Sequence, residues 1–249
     1  MVNSVFKAIK ILELLGDQPN LGVTELANIF SLPKSSVHNI LKTLENERLI
    51  ERNGLNGKYH LGIKLVELGN QAQVNLDIYK LSAPFLYGLN QKFDETVHLT
   101  ILDNDEVLYI DCIESKKRLR TYSVLGVRAP LYCTAVGKII LAFMDDSKIR
   151  RIIKEKGLKQ YTAQTISSEK RLFEEIEKIR ILGYAIDRME HEDHIQCIGA
   201  PIRNARGEVF ASMSISGPAE RLTEKKLVEM SKFLIDVTDS ISRKFGYSK

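Results

Sequence analysis

The chain has 249 residues, more than one domain usually holds, and its 44% hydrophobic content is enough to fill two cores. No apolar run reaches the roughly 18 residues that a membrane-spanning helix needs, and the start MVNSVFKAIK lacks the apolar stretch and cleavage site of a signal peptide, so a soluble cytoplasmic protein with no membrane partner is expected. Three widely spaced cysteines without a CxxC pair exclude a disulfide framework and a zinc ribbon. The net charge of +4 permits an anionic partner without requiring one, and the first 75 residues carry only eight Lys/Arg against seven Asp/Glu. Any nucleic-acid reading must therefore rest on where the charges sit.

In residues 4–15, Val5, Ala8, Ile9, Ile11, Leu12 and Leu15 recur at three- and four-residue steps, which predicts an amphipathic helix ended by Gly16, Asp17, Pro19 and Asn20. VTELANIF predicts a second helix, with Thr24 as N-cap and Leu26, Ala27 and Phe30 on one face. Pro33 suits the first turn of a third, PKSSVHNILKTLENERLI, because its missing N–H would have no partner there. Val37, Ile40, Leu41 and Leu44 form the buried stripe of that helix, which leaves Lys34, Ser35, Ser36, His38, Asn39 and Lys42 outward and near its start. Short donors beside cations are what a recognition helix brings to base edges and phosphates.

LIERNGLNGKYHLG then holds two extended segments around Asn53-Gly54 and Asn56-Gly57, a hairpin signal. Arg52 and Lys58 flank its tip, where cations neutralise phosphates or enter a minor groove. A small helical bundle with a solvated third helix is the plain alternative. The order helix, short helix, tight turn, longer helix, hairpin is more specific, and it predicts a winged helix-turn-helix over residues 1–62 with double-stranded operator DNA as partner. IKLVELGNQAQVNL predicts a linker helix over residues 63–76, whose stripe of Leu65, Leu68, Ala72 and Leu76 either packs on its own domain or pairs across a two-fold axis.

Residues 77–249 form the second predicted domain. A helix in DIYKLSAPFLYGLNQKF precedes strands at TVHLTILD, EVLYIDCIE and LRTYSVLG. Helices follow in TAVGKIILAFM, DDSKIRRIIKEKG and SSEKRLFEEIEKIRILG, then strands near YAID, IQCIGAPIR and VFASMSISG, and a last helix over residues 223–245. This order predicts an α+β domain with an antiparallel sheet covered by helices. No GxGxxG follows a strand and no Walker lysine loop exists, so a dinucleotide site is not expected.

The winged-helix order, GVRAPLYCTAVGKIILA, GYAIDRMEHEDHIQCIGAPI and SMSISGP together resemble the IclR family of bacterial regulators over nearly the whole chain. SISGP at a fixed distance after Asp-x9-Cys is the most specific part. The resemblance implies a GAF-like effector-binding domain, dimers or tetramers, and small-molecule ligands that are often organic acids. Members include repressors and activators, and a repressor is the reading taken here.

The resemblance also carries site residues over. Asp187 and Cys197 match the Asp and Cys of the motif, Ser214 and Ser216 the serines of SISGP, and Ala135 and Val136 the turn whose backbone amides face the ligand. The chemistry is reasonable in itself. Amides at a helix start attract a carboxylate, serines two apart on a strand share a side, and a cysteine offers a soft wall. Each residue also has an ordinary structural alternative: a core thiol, serines that satisfy a tight sheet, an aspartate that caps a turn.

Two positions depart from the family: His194 stands where a glycine is usual and Met189 where an acid is frequent. The result is His191-x2-His194-x2-Cys197 with Cys133, Asp187 and Glu190 as neighbours, a set that either holds Zn2+ or Ni2+, with a metal sensor as the function, or forms a solvated charged loop. No other cofactor is expected. A thiol-dependent hydrolase using Cys133 or Cys197 with a histidine is the remaining alternative, but no local nucleophile motif supports it and no enzymatic activity is expected.

Overall fold

Helical spacing and one tight hairpin organise the first part of the chain. In a computed structural model that describes residues 2–121 and 125–248, the chain divides into two compact units, Met1–Leu76 and Asp77–Lys249.

The first unit runs α1 (Asn3–Asp17), α2 (Val23–Ile29), α3 (Lys34–Asn46), β1 (Ile50–Arg52), β2 (Tyr59–Leu61) and α4 (Lys64–Val74). Its core joins Ile11 and Leu15 of α1, Leu26 and Ala27 of α2, Val37, Leu41 and Leu44 of α3, and Ile50 and Tyr59 of the hairpin. Burying each large side chain contributes roughly 1.5–3 kcal/mol. Ile40, expected in the buried stripe, packs only partly buried at its edge.

The N-cap of α2 is Gly22, not Thr24. The Gly22 N–H donates to Glu25 Oε2 at 2.7 Å, so the acid three residues on does the capping. Pro33 is the N-cap of α3, one position before the predicted first turn. The α2–α3 turn closes through Leu32 N–H to the Ala27 carbonyl at 2.9 Å. Helix α4 buries none of its residues within the protomer.

The second unit runs α5 (Asp77–Phe93), β3 (Thr96–Asp103), β4 (Glu106–Ile113), β5 (Arg128–Ala129), α6 (Ala135–Ala142), α7 (Asp146–Lys156), α8 (Glu169–Leu182), β6 (Ala185–Arg188), β7 (Ile195–Arg203), β8 (Val209–Pro218) and α9 (Glu224–Lys244). The strands form one six-stranded sheet in the order β5-β4-β3-β8-β7-β6, antiparallel at each pairing. Helices α5 and α9 pack together against the sheet, while α6 packs on β7, β8 and β6 with α8 against it.

The strand expected in LRTYSVLG is not found among its described residues; residues 122–124 lie outside the described residues, and strand pairing starts at β5 instead. Gly126 has φ +81° and donates its N–H to the Tyr109 carbonyl at 2.8 Å. A left-handed residue there breaks the extended run that alternation predicts.

Helix α6 is buried along all eight of its residues, and two glycines let it lie that deep. A Cβ on Gly137 would stand 2.5 Å from Leu131 Cα, and one on Gly199 of β7 2.8 Å from the Ala135 carbonyl. Backbone therefore touches backbone where α6 begins. Among the described residues no helix is long and apolar enough to cross a membrane.

Candidate functional site

Two sets of polar residues stand apart from the cores. On α3, burying Val37, Leu41 and Leu44 turns Lys34, Ser35, His38, Asn39 and Lys42 to solvent, with Ser36 half-buried. The ammonium groups of Lys34 and Lys42 and the guanidinium of Arg52 make no ion pair among the described residues. Lys58 differs, since its Nζ is held 2.9 Å from Glu25 Oε1. Arg52 Nε donates to the Gly57 carbonyl at 3.1 Å, which fixes its stem on the hairpin.

At the hairpin tip Gly57 takes φ +70°, and the side chains of Asn53 and Asn56 accept the N–H groups of Leu55 and Lys58 at 2.9 Å each. Asn56-Gly57 thus carries the turn. Leu55, which the sequence reading passed over, is 100% exposed at the tip. Its position between two Asn-Gly pairs was the available signal.

In the second unit a cavity of about 310 Å3 lies between the start of α6 and the sheet, within the range of small-ligand sites. Ala135, Val136, Asp187, Cys197, Ser214 and Ser216 all line it. Alternation along β8 puts Ser212, Ser214 and Ser216 on one face, the one towards α6, where Ser212 Oγ donates to the Val136 carbonyl at 3.0 Å. Thr134 caps α6 by accepting the Gly137 N–H at 3.0 Å. The two preceding amides, Ala135 and Val136, belong to the first turn and have no partner inside the helix.

Residues that sequence reasoning did not single out complete the wall. His98 Nδ1 lies 3.3 Å from both Ser214 Oγ and Ser216 Oγ, and its ring meets that of Tyr109 edge-on at 5.3 Å. Burial lowers the His98 pKa to about 4, so the imidazole is neutral near pH 7. Thr121 is buried, and its Oγ1 has no hydrogen-bond partner among the described residues. Buried hydroxyls are normally satisfied, so an unpaired one facing a cavity marks a place for a ligand atom.

Asp187, at the end of β6, is 3% exposed. Burial raises its pKa to about 7, against the backbone N–H groups of Glu190 and His191, which favour the anion; Glu190 N–H donates to Asp187 Oδ1 at 2.7 Å. Beside it the fully buried Lys138 is ion-paired with Glu190 and donates to the Ile186 carbonyl at 2.6 Å.

Of the residues proposed as metal ligands, His191 and Cys197 line the cavity with Asp187, but the full set does not assemble. His194 is 83% exposed beside Glu220, His191 packs against the Tyr161 ring at 5.1 Å, and Cys133 belongs to an apolar core. Among the described residues no group of three or more His, Cys, Asp or Glu is arranged to hold a metal ion. His194 takes φ +64°, a left-handed conformation that favours glycine, and its side chain is left in solvent. The thiols are equally unsuited to attack. Burial raises Cys133 to about 12 and Cys197 well above its ordinary value, whereas a nucleophilic cysteine needs a lowered pKa.

A helix-turn-helix with a hairpin wing, followed by an α+β unit enclosing a small cavity, defines a ligand-responsive DNA-binding transcription regulator. Residues 4–54 match the IclR helix-turn-helix domain and residues 70–243 the bacterial transcriptional regulator IclR C-terminal domain. The chain belongs to the IclR family. It is 36% identical over 246 residues to the HTH-type transcriptional regulator KdgR of Escherichia coli K12, covering 99% of this chain and 94% of KdgR. To the HTH-type transcriptional repressor AllR of the same organism it is 31% identical over 90% of this chain and 83% of AllR. The crystal structure of Thermotoga maritima IclR matches with TM-score 0.80 and 35% identity, covering 99% of this chain and 100% of that one.

Proposed function

We propose that this regulator is a repressor that works as a homodimer or tetramer and whose hold on operator DNA is set by a small organic acid in the 310 Å3 cavity. The observation that carries the reading is the meeting of the Ala135 and Val136 amides, the Ser214 and Ser216 hydroxyls and the Thr121 hydroxyl, which has no partner among the described residues, on one cavity wall. Amides at a helix start favour a carboxylate, and hydroxyls fix its remaining oxygens. AllR, 31% identical, is named a repressor, which supports the sign of regulation.

Lys34, Ser35, Ser36, His38, Asn39 and Lys42 of α3, with Arg52 on the wing, make the DNA contacts in this reading, and Lys58 contributes through the Glu25 pair. The exposed Leu55 is shaped to wedge into a minor groove. Val5, Phe6 and Ile9 of α1 and Val66, Leu68 and Val74 of α4 are exposed apolar residues of the same unit and supply the face for a second copy.

The test is a thermal-shift screen of small organic acids on the full chain, followed by DNA binding with and without each hit. A bound acid raises the melting temperature and weakens operator binding. Absence of any stabilising acid, or hits that leave DNA affinity unchanged, contradicts the reading.

A further inference from the structure

We propose that the cavity takes up its acid together with one proton, that Asp187 holds this proton and donates through it a hydrogen bond to the bound carboxylate, and that the site thereby selects monocarboxylates over dicarboxylates. The proposal rests on the organic-acid reading above.

Charge in a closed space decides the protonation of the site. Asp187 is buried in the wall of a 310 Å3 cavity, so a carboxylate bound there comes close to a second carboxylate. Two carboxylates sharing one site do not both stay ionised unless a cation stands between them. The groups around Asp187 supply none. Lys138 of α6 acts on it, but its three donors are committed to Glu190, the Ile186 carbonyl and Glu175. Arg128 of β5 also lines the cavity, but its guanidinium is paired with the Asp103 carboxylate and donates to the Asp103 carbonyl.

The remaining titratable neighbours add no positive charge at neutral pH. His98 of β3 and His191 of the β6–β7 loop are both shifted towards the neutral imidazole by burial. Tyr109 of β4, Cys133 before α6 and Cys197 of β7 are held in their protonated forms. Glu190 and Glu192 add negative charge. The free protein is poised for this exchange, because burial already brings Asp187 to a pKa of about 7. A bound anion raises it further, so binding above neutral pH draws one proton from solvent.

A monoanion and one proton leave the cavity no more charged than before. A dicarboxylate brings a second charge, and the one guanidinium among the described lining residues, that of Arg128, already carries the Asp103 carboxylate as its partner.

Two measurements on the full chain test this. In protein labelled with 13C-aspartate, the Asp187 carboxyl signal, assigned by its loss in Asp187→Asn, should titrate near neutral pH. A midpoint in the ordinary range of about 4 overturns the proposal. Calorimetry with acetate, propionate, lactate, malonate and succinate at pH 6, 7 and 8, in buffers of differing ionisation heat, gives affinity and proton uptake together.

The monocarboxylates should weaken about tenfold per pH unit above pH 7 with uptake of one proton, and the dicarboxylates should bind at least about tenfold more weakly. Asp187→Asn, which carries a permanent donor, should bind the same monocarboxylates without pH dependence. Binding that is independent of pH in the wild type, or equal affinity for malonate and lactate, overturns this proposal alone. Failure of all five acids at every pH overturns the organic-acid reading and the proposal with it.

Discussion

Gly199 of β7 lies against Ala135, the first residue of α6, so closely that a Cβ on the glycine would stand 2.8 Å from the alanine carbonyl carbon. The contact is backbone on backbone, which neither side can relieve by rotating a side chain. It sets how far the α6 amides stand from the serines of β8, and the cavity depends on that spacing. Gly199→Ala should destabilise the protein by about 1–3 kcal/mol in urea unfolding and abolish the response to acid, while wild-type DNA affinity persists without acid. Retention of a normal acid response would show that the spacing does not matter.

The Thr121 hydroxyl, without a partner among the described residues, makes stability and binding respond in opposite directions. Replacing it by valine removes this buried polar group. Leaving such a group unsatisfied costs about 1–3 kcal/mol. Thr121→Val should therefore raise the melting temperature of the free protein and weaken the best acid at least several-fold. A variant both less stable and normal in binding would refute the assignment.

His98 and Asp187 impose opposite pH dependences on folding. His98 has a native pKa of about 4 against 6.5 unfolded, so the unfolded chain binds more protons in between; its contribution is full above pH 6.5 and is lost as pH falls to 4. Asp187 is raised from 3.8 to about 7, so its contribution is full below pH 3.8 and is lost as pH rises through 7. Each is worth about 3–5 kcal/mol across its window at about 1.4 kcal/mol per pH unit, Asp187 slightly the more because its window is wider. Relative to wild type, His98→Asn should lose stability as pH rises from 4 to 6.5, and Asp187→Asn should gain it. Denaturant titrations at a series of pH values separate the two, and parallel curves for all three proteins would contradict both assignments.

Lys42 and Arg52, which make no ion pair among the described residues, should be distinguishable from the paired Lys58. Lys42→Ala and Arg52→Ala should each flatten the dependence of log affinity on log salt by about one. Lys58→Ala should change the slope less, because Glu25 already holds the Lys58 ammonium at 2.9 Å. Measured salt slopes that are equal for all three variants would rule out this distinction.

Much of this architecture can be read from local pattern. Ile11, Leu15, Val37 and Leu41 announce their helices by spacing, Asn56-Gly57 announces the hairpin, and Ser214 and Ser216 share a face by strand alternation. What escapes is long-range. Lys138 sits among GKIILA as a residue for solvent, yet it is fully buried because Ile186 and Glu190 arrive from far along the chain. His98 in TVHLT reads as a core position, and only the pairing of β3 with β8 brings Ser214 and Ser216 to its ring. Thr121 lies in a segment whose alternation predicts a strand that is not found among its described residues. His191, His194 and Cys197 have ligand-like spacing in sequence, but His194, on left-handed backbone, stands in solvent while the other two line the cavity.

In the proposed function α3 chooses the DNA and the cavity decides when it is held. Selection of bound duplexes from a random pool by the full chain, with and without a stabilising acid, checks both halves at once. Wild type should enrich a palindromic site and release it with acid, Asn39→Ala should enrich a different site, and Ser214→Ala with Ser216→Ala should enrich the wild-type site yet keep hold of it in acid. An unchanged site in Asn39→Ala, or a changed one in the double serine variant, would contradict the account.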